Sequence, residues 1–263
     1  MPRQEAKFLL SPAQAETMHR MLLPHVRLDP YAAMRRGATY TVMSLYLDTH
    51  ALDCYHEKLA GLKDRLKLRV RGYDDVTADS PVYLELKRKS GAVIAKRRSS
   101  VRYGDLRQAL SSGDVESYLL HAENPDEAAA NAREFLFHVH RRSLAPVINV
   151  VYEREAFCSL HEEGVRITLD RALRSQLAEG LAFPPGDAPS VSALGQQVIL
   201  EVKTDWGLPL WLRMIVGRVG VSKQALSKYI LCVDSLSANG HRCGPTRGWT
   251  VRDRSISLYT PES

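Results

Sequence analysis

Nine residues, Arg65 to Tyr73 (RLKLRVRGY), constrain this chain more than any other stretch. Cation and hydrophobe alternate with a two-residue period, and only an extended strand turns that period into two faces. Arg65, Lys67, Arg69 and Arg71 fall on one face, and Leu66, Leu68 and Val70 on the other. Like charges about 7 Å apart repel by about 2 kcal/mol per adjacent pair at an effective dielectric of about 20. Such a face needs either open water or a bound anion. For one strand alone, open water is the ordinary answer.

The strand is not alone. In VYLELKRK, Glu85, Lys87 and Lys89 share a face opposite Val82, Leu84 and Leu86. In QVILEVKTDW, Glu201 and Lys203 oppose Val198, Leu200 and Val202. Three strands charged in alternation point to one shared polar surface, with carboxylates set among the cations.

Composition narrows the partners. The chain has 263 residues, 44% of them hydrophobic, enough for one large core or two small ones, with one elaborated domain the expectation, and nothing in it reads as disordered or fibrous. Thirty-six Lys plus Arg against 30 Asp plus Glu give a formal charge of +6 and a pI near 9.2. That favours anionic partners without implying nucleic acid. Cys54, Cys158, Cys232 and Cys243 are scattered with no C-x-x-C pair, which argues against a zinc site or a disulfide framework and fits reduced thiols. MPRQEAKF carries charges where a signal peptide needs an apolar core, and no apolar run approaches the roughly 20 residues of a membrane span. A soluble, cytoplasmic chain is the expectation.

Read in order, RQEAKFLL is a strand with Arg3, Glu5 and Lys7 on one face and Phe8 and Leu10 on the other. Ser11 and Pro12 start a helix whose apolar stripe is Met18, Met21 and Leu22. YTVMSLYLDT is a strand, and HALDCYHEKLAGL a helix with Leu52, Tyr55 and Leu59 at helical spacing, ended by Gly61. Ser90 and Gly91 turn VYLELKRK back into AVIAKRRSSVRY, a hairpin presenting Lys96 and Arg98 on one face. From Gly104 to about Leu144 the pattern is helical, with PDEAAANAREFLFHVH the longest run. His138 and His140 lie two apart on it and so point in different directions, which argues against a metal role. Strands resume in PVINVVYEREAF, where Tyr152 and Arg154 share a face, and in GVRITLDRAL, where Arg166, Thr168 and Asp170 do. The Pro-, Gly- and Ser-rich stretch between Gly180 and Gly195 reads as a surface loop, LWLRMIVGRV after Pro209 as a helix, and SKYILCV as a last strand. From Ala238 the sequence is polar and basic, so the expected division is a domain over 1–237 and a loose tail over 238–263. About eight strands with helices inserted, in antiparallel-compatible connections, make the class α+β.

Strands with one charged and one apolar face can be arranged as an eight-stranded antiparallel β-barrel whose charged side lines a tunnel and whose apolar side is covered by helices. At this point the motifs carry a resemblance. RQEAKF, SLYLDT, RLKLRVRGY, LELKRK with a following KRR, YEREAF, GVRITLD, LEVK and SKY occur in the order seen in the VTC domain. That domain is the polyphosphate polymerase branch of the triphosphate tunnel superfamily. The motifs run from about Arg3 to Val233, and eight in order are specific where each alone is weak.

The resemblance implies a tunnel in which basic side chains bind triphosphate or polyphosphate and a carboxylate binds Mn or Mg. Its eukaryotic members transfer the terminal phosphoryl group of ATP to a growing polyphosphate chain. Carried over by position, the phosphate ligands would be Lys7, Arg69, Arg71, Lys87, Lys96, Arg154, Arg166 and Lys228, with Ser227 beside the last. Arg65, Lys67, Lys89, Arg98, Tyr152 and Lys203 stand as further substrate-binding candidates. Glu201 would be the metal carboxylate, with Glu5 and Glu85 behind it. Hydrolases of the wider superfamily begin E-x-E-x-K, whereas Arg3 takes the first of those glutamate positions here. This weakens a triphosphatase or adenylate cyclase reading, which leans on several acidic metal ligands. Eukaryotic relatives join the domain to membrane segments and an inositol phosphate sensing domain; neither occurs in this sequence, and a membrane protein partner is one expectation that follows.

Two rivals stay open. A hydrolase would use the same ligands with water as nucleophile. A noncatalytic module would bind polyphosphate or nucleic acid by charge alone. Against nucleic acid stand Glu5, Glu85 and Glu201 among the cations, and the lack of regular aromatics for stacking bases. No G-x-x-x-x-G-K-[ST] loop is present, so side chains must do any phosphate binding. Individual residues also have plainer readings: Glu85 as a salt-bridge partner of Lys87 or Arg69, and Asp170 and Asp48 as strand-end residues.

Overall fold

Alternation of charge and hydrophobe is obeyed almost throughout. The computed structural model describes residues 4–91 and 93–244. Its strands are β1 (Gln4–Leu10), β2 (Val26–Leu28), β3 (Thr39–Asp48), β4 (Arg65–Tyr73), β5 (Pro81–Ser90), β6 (Val93–Arg102), β7 (Ala145–Ser159), β8 (Arg166–Leu177), β9 (Val191–Ser192) and β10 (Val198–Thr204). Its helices are α1 (Pro12–Leu22), α2 (Pro30–Ala33), α3 (Asp53–Leu59), α4 (Leu106–Ser111), α5 (Pro125–Arg141), α6 (Leu210–Val219) and α7 (Lys228–Ala238). The class is α+β, as expected. The expected basic tail lies largely outside the described residues, as does Arg3.

The strands follow the path β1-β10-β8-β7-β3-β4-β5-β6, with β2 on β7 and β9 on β8. The path has two ends, β1 and β6, so the described strands make an open antiparallel sheet and not a ring closed by hydrogen bonds. Lys96, Arg97 and Arg98 of β6 are exposed. Charge of this kind is what keeps an unpaired edge from recruiting another strand.

The chain divides into two compact units. The first takes 4–43, Val150–Gln176 and Pro189–His241; the second takes Ser44–Asn149 and Leu177–Ala188. Residues of β3 and β7 fall in both. In the first unit, Phe8, Leu10, Ile167, Leu169, Leu200 and Val202 form the apolar face of the strands and pack with Met18 and Leu22 of α1 and with Leu212 and Ile215 of α6. Ser11 caps α1 in a capping box with Gln14, with Pro12 at the first helical position. In the second unit, Leu66, Leu68 and Val70 of β4 and Val82, Leu84 and Leu86 of β5 pack with Ala132, Phe135 and Val139 of α5 and Leu106 of α4. With these six even-numbered residues of β4 and β5 in the core, the odd-numbered cations of the two strands are turned to the opposite face.

One expected strand is overturned. SKYILCV is not a strand but the start of α7. Its buried residues Tyr229, Cys232, Val233 and Leu236 recur at three and four, and Ser227 supplies the N-cap by accepting from the Ile230 N–H at 3.5 Å. A short apolar run fits either period, and only the continuation to Leu236 separates them. In α3 the buried residue is Cys54, while Leu59 is exposed. Gly61, at φ +68°, does follow the end of that helix. Gly91, at φ +57°, sits in the β5–β6 turn, where the left-handed region is needed.

Candidate anion and metal site

In the first unit, antiparallel pairing sets Lys7 of β1 opposite Glu201 of β10, and Glu5 opposite Lys203. The result is a charge checkerboard. Lys203 Nζ lies 2.8 Å from Glu201 Oε1, and Lys7 Nζ lies 3.6 Å from Glu201 Oε2 and 2.9 Å from Glu5 Oε1. Lys7 also donates to the Leu226 carbonyl at 3.3 Å, just before the α7 cap. On its other side Glu201 is in register with Thr168 of β8.

Beside this pair is a more deeply buried group. Arg154 of β7 forks onto Asp170 of β8, with Nε–Oδ1 at 2.6 Å and Nη2–Oδ2 at 2.8 Å. Lys228, the first residue of α7, reaches Asp170 Oδ2 at 2.6 Å. Both cations lie over the Tyr152 ring, Lys228 Nζ at 4.8 Å and Arg154 Cζ at 5.2 Å from its centroid. Arg166 is held by Asp29 at 2.6 Å and by the Tyr40 hydroxyl at 3.2 Å, and Asp29 also caps α2 through the Ala32 N–H.

These contacts fix the protonation states. Burial opposes charge at Glu201, yet Lys203, Lys7, Lys228 and Arg154 hold its carboxyl well below the usual range. Asp170 is likewise lowered against burial, by Arg154 and Lys228. Burial weakens Lys203 more than Glu201 restores it, so its ammonium is the more easily deprotonated, whereas Asp170 keeps Lys228 firmly charged.

In the second unit the registers of β4, β5 and β6 make rows across three strands. Arg69, Glu85 and Arg98 form one row. Glu85 Oε2 accepts from Arg69 Nε at 2.7 Å and lies 2.6 Å from its Nη2 and 3.6 Å from Arg71 Nε, while Oε1 lies 3.7 Å from Arg98 Nε. Burial would raise the Glu85 carboxyl, but Arg69 and Arg71 bring it down to about 2. The next row is Lys67, Lys87 and Lys96, three like charges in direct register with no carboxylate in the row. Arg65 pairs in register with Lys89, and Arg71 with Tyr83. Arg98 stacks its guanidinium 3.6 Å over the Tyr83 ring. Arg69 donates to the Tyr46 hydroxyl at 3.0 Å; burial resists, but Arg69, Lys67 and Arg71 bring that phenol down to about 8.

The site residues expected from the sequence therefore fall into two clusters. Glu5, Lys7, Tyr152, Arg154, Arg166, Glu201, Lys203, Ser227 and Lys228 belong to the first unit; Arg65, Lys67, Arg69, Arg71, Glu85, Lys87, Lys89, Lys96 and Arg98 belong to the second. Asp170, read from the sequence as a strand-end residue, is the anchor of Arg154 and Lys228. Its signal was there: it lies two and four residues beyond Thr168 and Arg166, on the same strand face. Asp48 does keep the plainer role, accepting from the backbone N–H groups of Thr49, Cys54 and Tyr55 at the start of α3.

Among the described residues no three His, Cys, Asp or Glu side chains converge as a complete metal cage. A magnesium-like ion needs less, since it takes one or two carboxylates and completes its shell with phosphate oxygens and water. Glu201, ionised and joined to Glu5 through the shared Lys7, fits that requirement. Glu85 is already engaged by guanidinium groups on both oxygens.

Fold and site thus define an α+β protein with basic clusters anchored on buried carboxylates. The family model of the VTC domain matches residues 2–237, and the chain belongs to that family. It is 27% identical over 188 residues to vacuolar transporter chaperone complex subunit 4 of Trypanosoma brucei brucei, a match covering 58% of this chain and 23% of the relative. The match therefore spans about a quarter of that protein's length. Two solved structures are similar at lower levels. One is a putative adenylyl cyclase from Hippeastrum described as having a dominant triphosphatase activity, with a TM-score of 0.48, 17% identity, and coverage of 91% of this chain and 96% of that one. The other is a protein of Pyrococcus horikoshii OT3, with a TM-score of 0.42, 14% identity, and coverage of 90% and 100%.

Proposed function

We propose that this chain is a metal-dependent phosphotransferase of the polyphosphate polymerase type, moving the terminal phosphoryl group of ATP onto the end of a polyphosphate chain. The observation that carries this reading is the buried Arg154–Asp170–Lys228 group beside the ionised Glu201, in a chain of the VTC-domain family. Phosphoryl transfer asks little covalent chemistry of a protein; it needs negative charge neutralised and the nucleophile held in line. A terminal polyphosphate oxygen attacks the γ-phosphorus, the bond from that phosphorus to its bridging oxygen breaks, and ADP leaves with the electron pair.

Lys7, Arg154, Arg166 and Lys228 in one unit, and Arg69, Arg71, Lys87 and Lys96 in the other, are assigned to phosphate oxygens. Arg65, Lys67, Lys89, Arg98, Tyr152, Lys203 and Ser227 flank them as secondary contacts. Because Asp170 and Glu85 already hold their arginines in place, little side-chain entropy remains to be lost when an anion arrives. Glu201, with Glu5, would hold Mn or Mg, which when bound neutralises phosphate charge. The relative's description as a complex subunit supports a protein partner as well, and a cytoplasmic location remains part of the proposal.

The deciding experiment incubates the purified chain with ATP and Mn and resolves polyphosphate from orthophosphate on a gel. A ladder of chains is the expected result. Orthophosphate alone, at every metal and primer condition, makes the protein a hydrolase; binding of triphosphate with no turnover makes it a noncatalytic polyphosphate-binding module.

A further inference from the structure

Thr168 lies on β8 between Arg166 and Asp170, with Ile167 and Leu169 on the opposite, apolar face. Its side chain is therefore turned to the charged face, and the residue is only 2% exposed. Its hydroxyl has no hydrogen-bond partner among the described residues. A buried hydroxyl left in that state is costly, and folded proteins rarely tolerate one without a reason. The neighbouring carboxylate does not relieve it. Glu201, in register with Thr168, spends its oxygens on Lys203 and Lys7, and the Asp170 oxygens are taken by Arg154 and Lys228.

A donor without an acceptor, beside two carboxylates whose oxygens are taken by Lys7, Lys203, Arg154 and Lys228, is placed to meet the oxygen of an incoming anion. We propose that Thr168 is a substrate-binding residue whose Oγ1–H donates a hydrogen bond to a non-bridging phosphate oxygen. This rests on the reading of the first-unit cluster as a phosphate site. It adds a neutral, directional contact to a set of cations. The lysines attract any polyanion, while a hydroxyl fixed on a strand favours the one whose oxygen falls within its reach.

The test is calorimetric titration with tripolyphosphate, in chelator and again with Mn, of wild type, Thr168→Val and Thr168→Ser, with melting temperatures of the ligand-free proteins. Valine keeps the shape and removes the orphan hydroxyl. It should leave the ligand-free melting temperature equal or higher while weakening tripolyphosphate binding about ten- to a hundredfold, the range for a hydrogen bond to a charged group. Serine, which restores the hydroxyl, should bind close to wild type. Wild-type affinity in Thr168→Val overturns the proposal. So does a loss shared equally by serine and valine together with a lowered melting temperature, which marks a packing role, or a loss seen only with Mn, which marks a metal ligand. If wild type itself fails to bind tripolyphosphate, the phosphate-site reading falls and this proposal with it, a result distinct from tight binding by wild type and valine alike.

Discussion

A carboxylate in a basic cluster can do one of two jobs, and Glu201 and Glu85 divide them. Glu85 sits against guanidinium groups, acting as the counter-charge that holds Arg69, Arg71 and Arg98 together. Glu201 sits against ammonium groups, which a divalent ion can displace, so it is the better metal candidate. Glu201→Gln keeps shape and removes charge; it should abolish metal-dependent turnover and leave triphosphate binding intact or tighter. Arg71→Ala should instead weaken triphosphate binding about ten- to a hundredfold. Titration of both variants beside a turnover assay separates the roles, and wild-type turnover in Glu201→Gln would make Glu5 the metal candidate. Glu85 carries the acid-stability prediction. Its carboxyl titrates near 2 in the folded chain against an ordinary 4.5, so its stabilisation is complete above about pH 4.5 and is lost as pH falls through 2. The shift corresponds to about 3 kcal/mol. Glu85→Gln should therefore lower the melting temperature at neutral pH and flatten its fall between those two pH values, read by circular dichroism.

The β4–β5–β6 hairpins show what a regular element can store. Lys87 has Lys67 on one side and Lys96 on the other. Lys87→Met keeps the long stem and removes the charge. It should weaken triphosphate binding, read by calorimetric titration, whereas wild-type affinity would remove Lys87 from the phosphate ligands. The faces of these strands were legible in the sequence because a period of two survives in any register. Which cation meets which carboxylate was not, because register depends on the turn: pairing Arg69 with Glu85 and Lys67 with Lys87 follows from the hairpin joining β4 to β5. The same limit explains Asp170, whose partners Arg154 and Lys228 come from the neighbouring strand β7 and from a helix. It also explains α7: Ser227 and Lys228 were identified as site residues from the motif, but seven apolar-rich residues do not distinguish a strand from a helix's first two turns. The N-cap that ends the ambiguity is also what presents Lys228 to Asp170.

For the molecule as a whole, the question opened by Arg65–Tyr73 was whether its cations face water or an anion. Arg71, Arg154 and Glu201 are buried, and Arg69 and Lys67 half-buried. Screening by water is thus reduced where the charges are densest. A ligand that binds only the folded chain adds to its stability by linkage. At about 100 times its dissociation constant triphosphate should add about 2.7 kcal/mol, which for a chain of this size raises the melting temperature by roughly 5 to 10 °C. At matched ionic strength, chloride should give almost none of this, because screening acts on all exposed charges alike whereas a polyanion contacts several clustered cations at once. Added salt should then reduce the triphosphate shift in proportion to the number of cations engaged. A shift no larger than that of chloride would return the basic strands to an ordinary solvated surface and withdraw the phosphate site altogether.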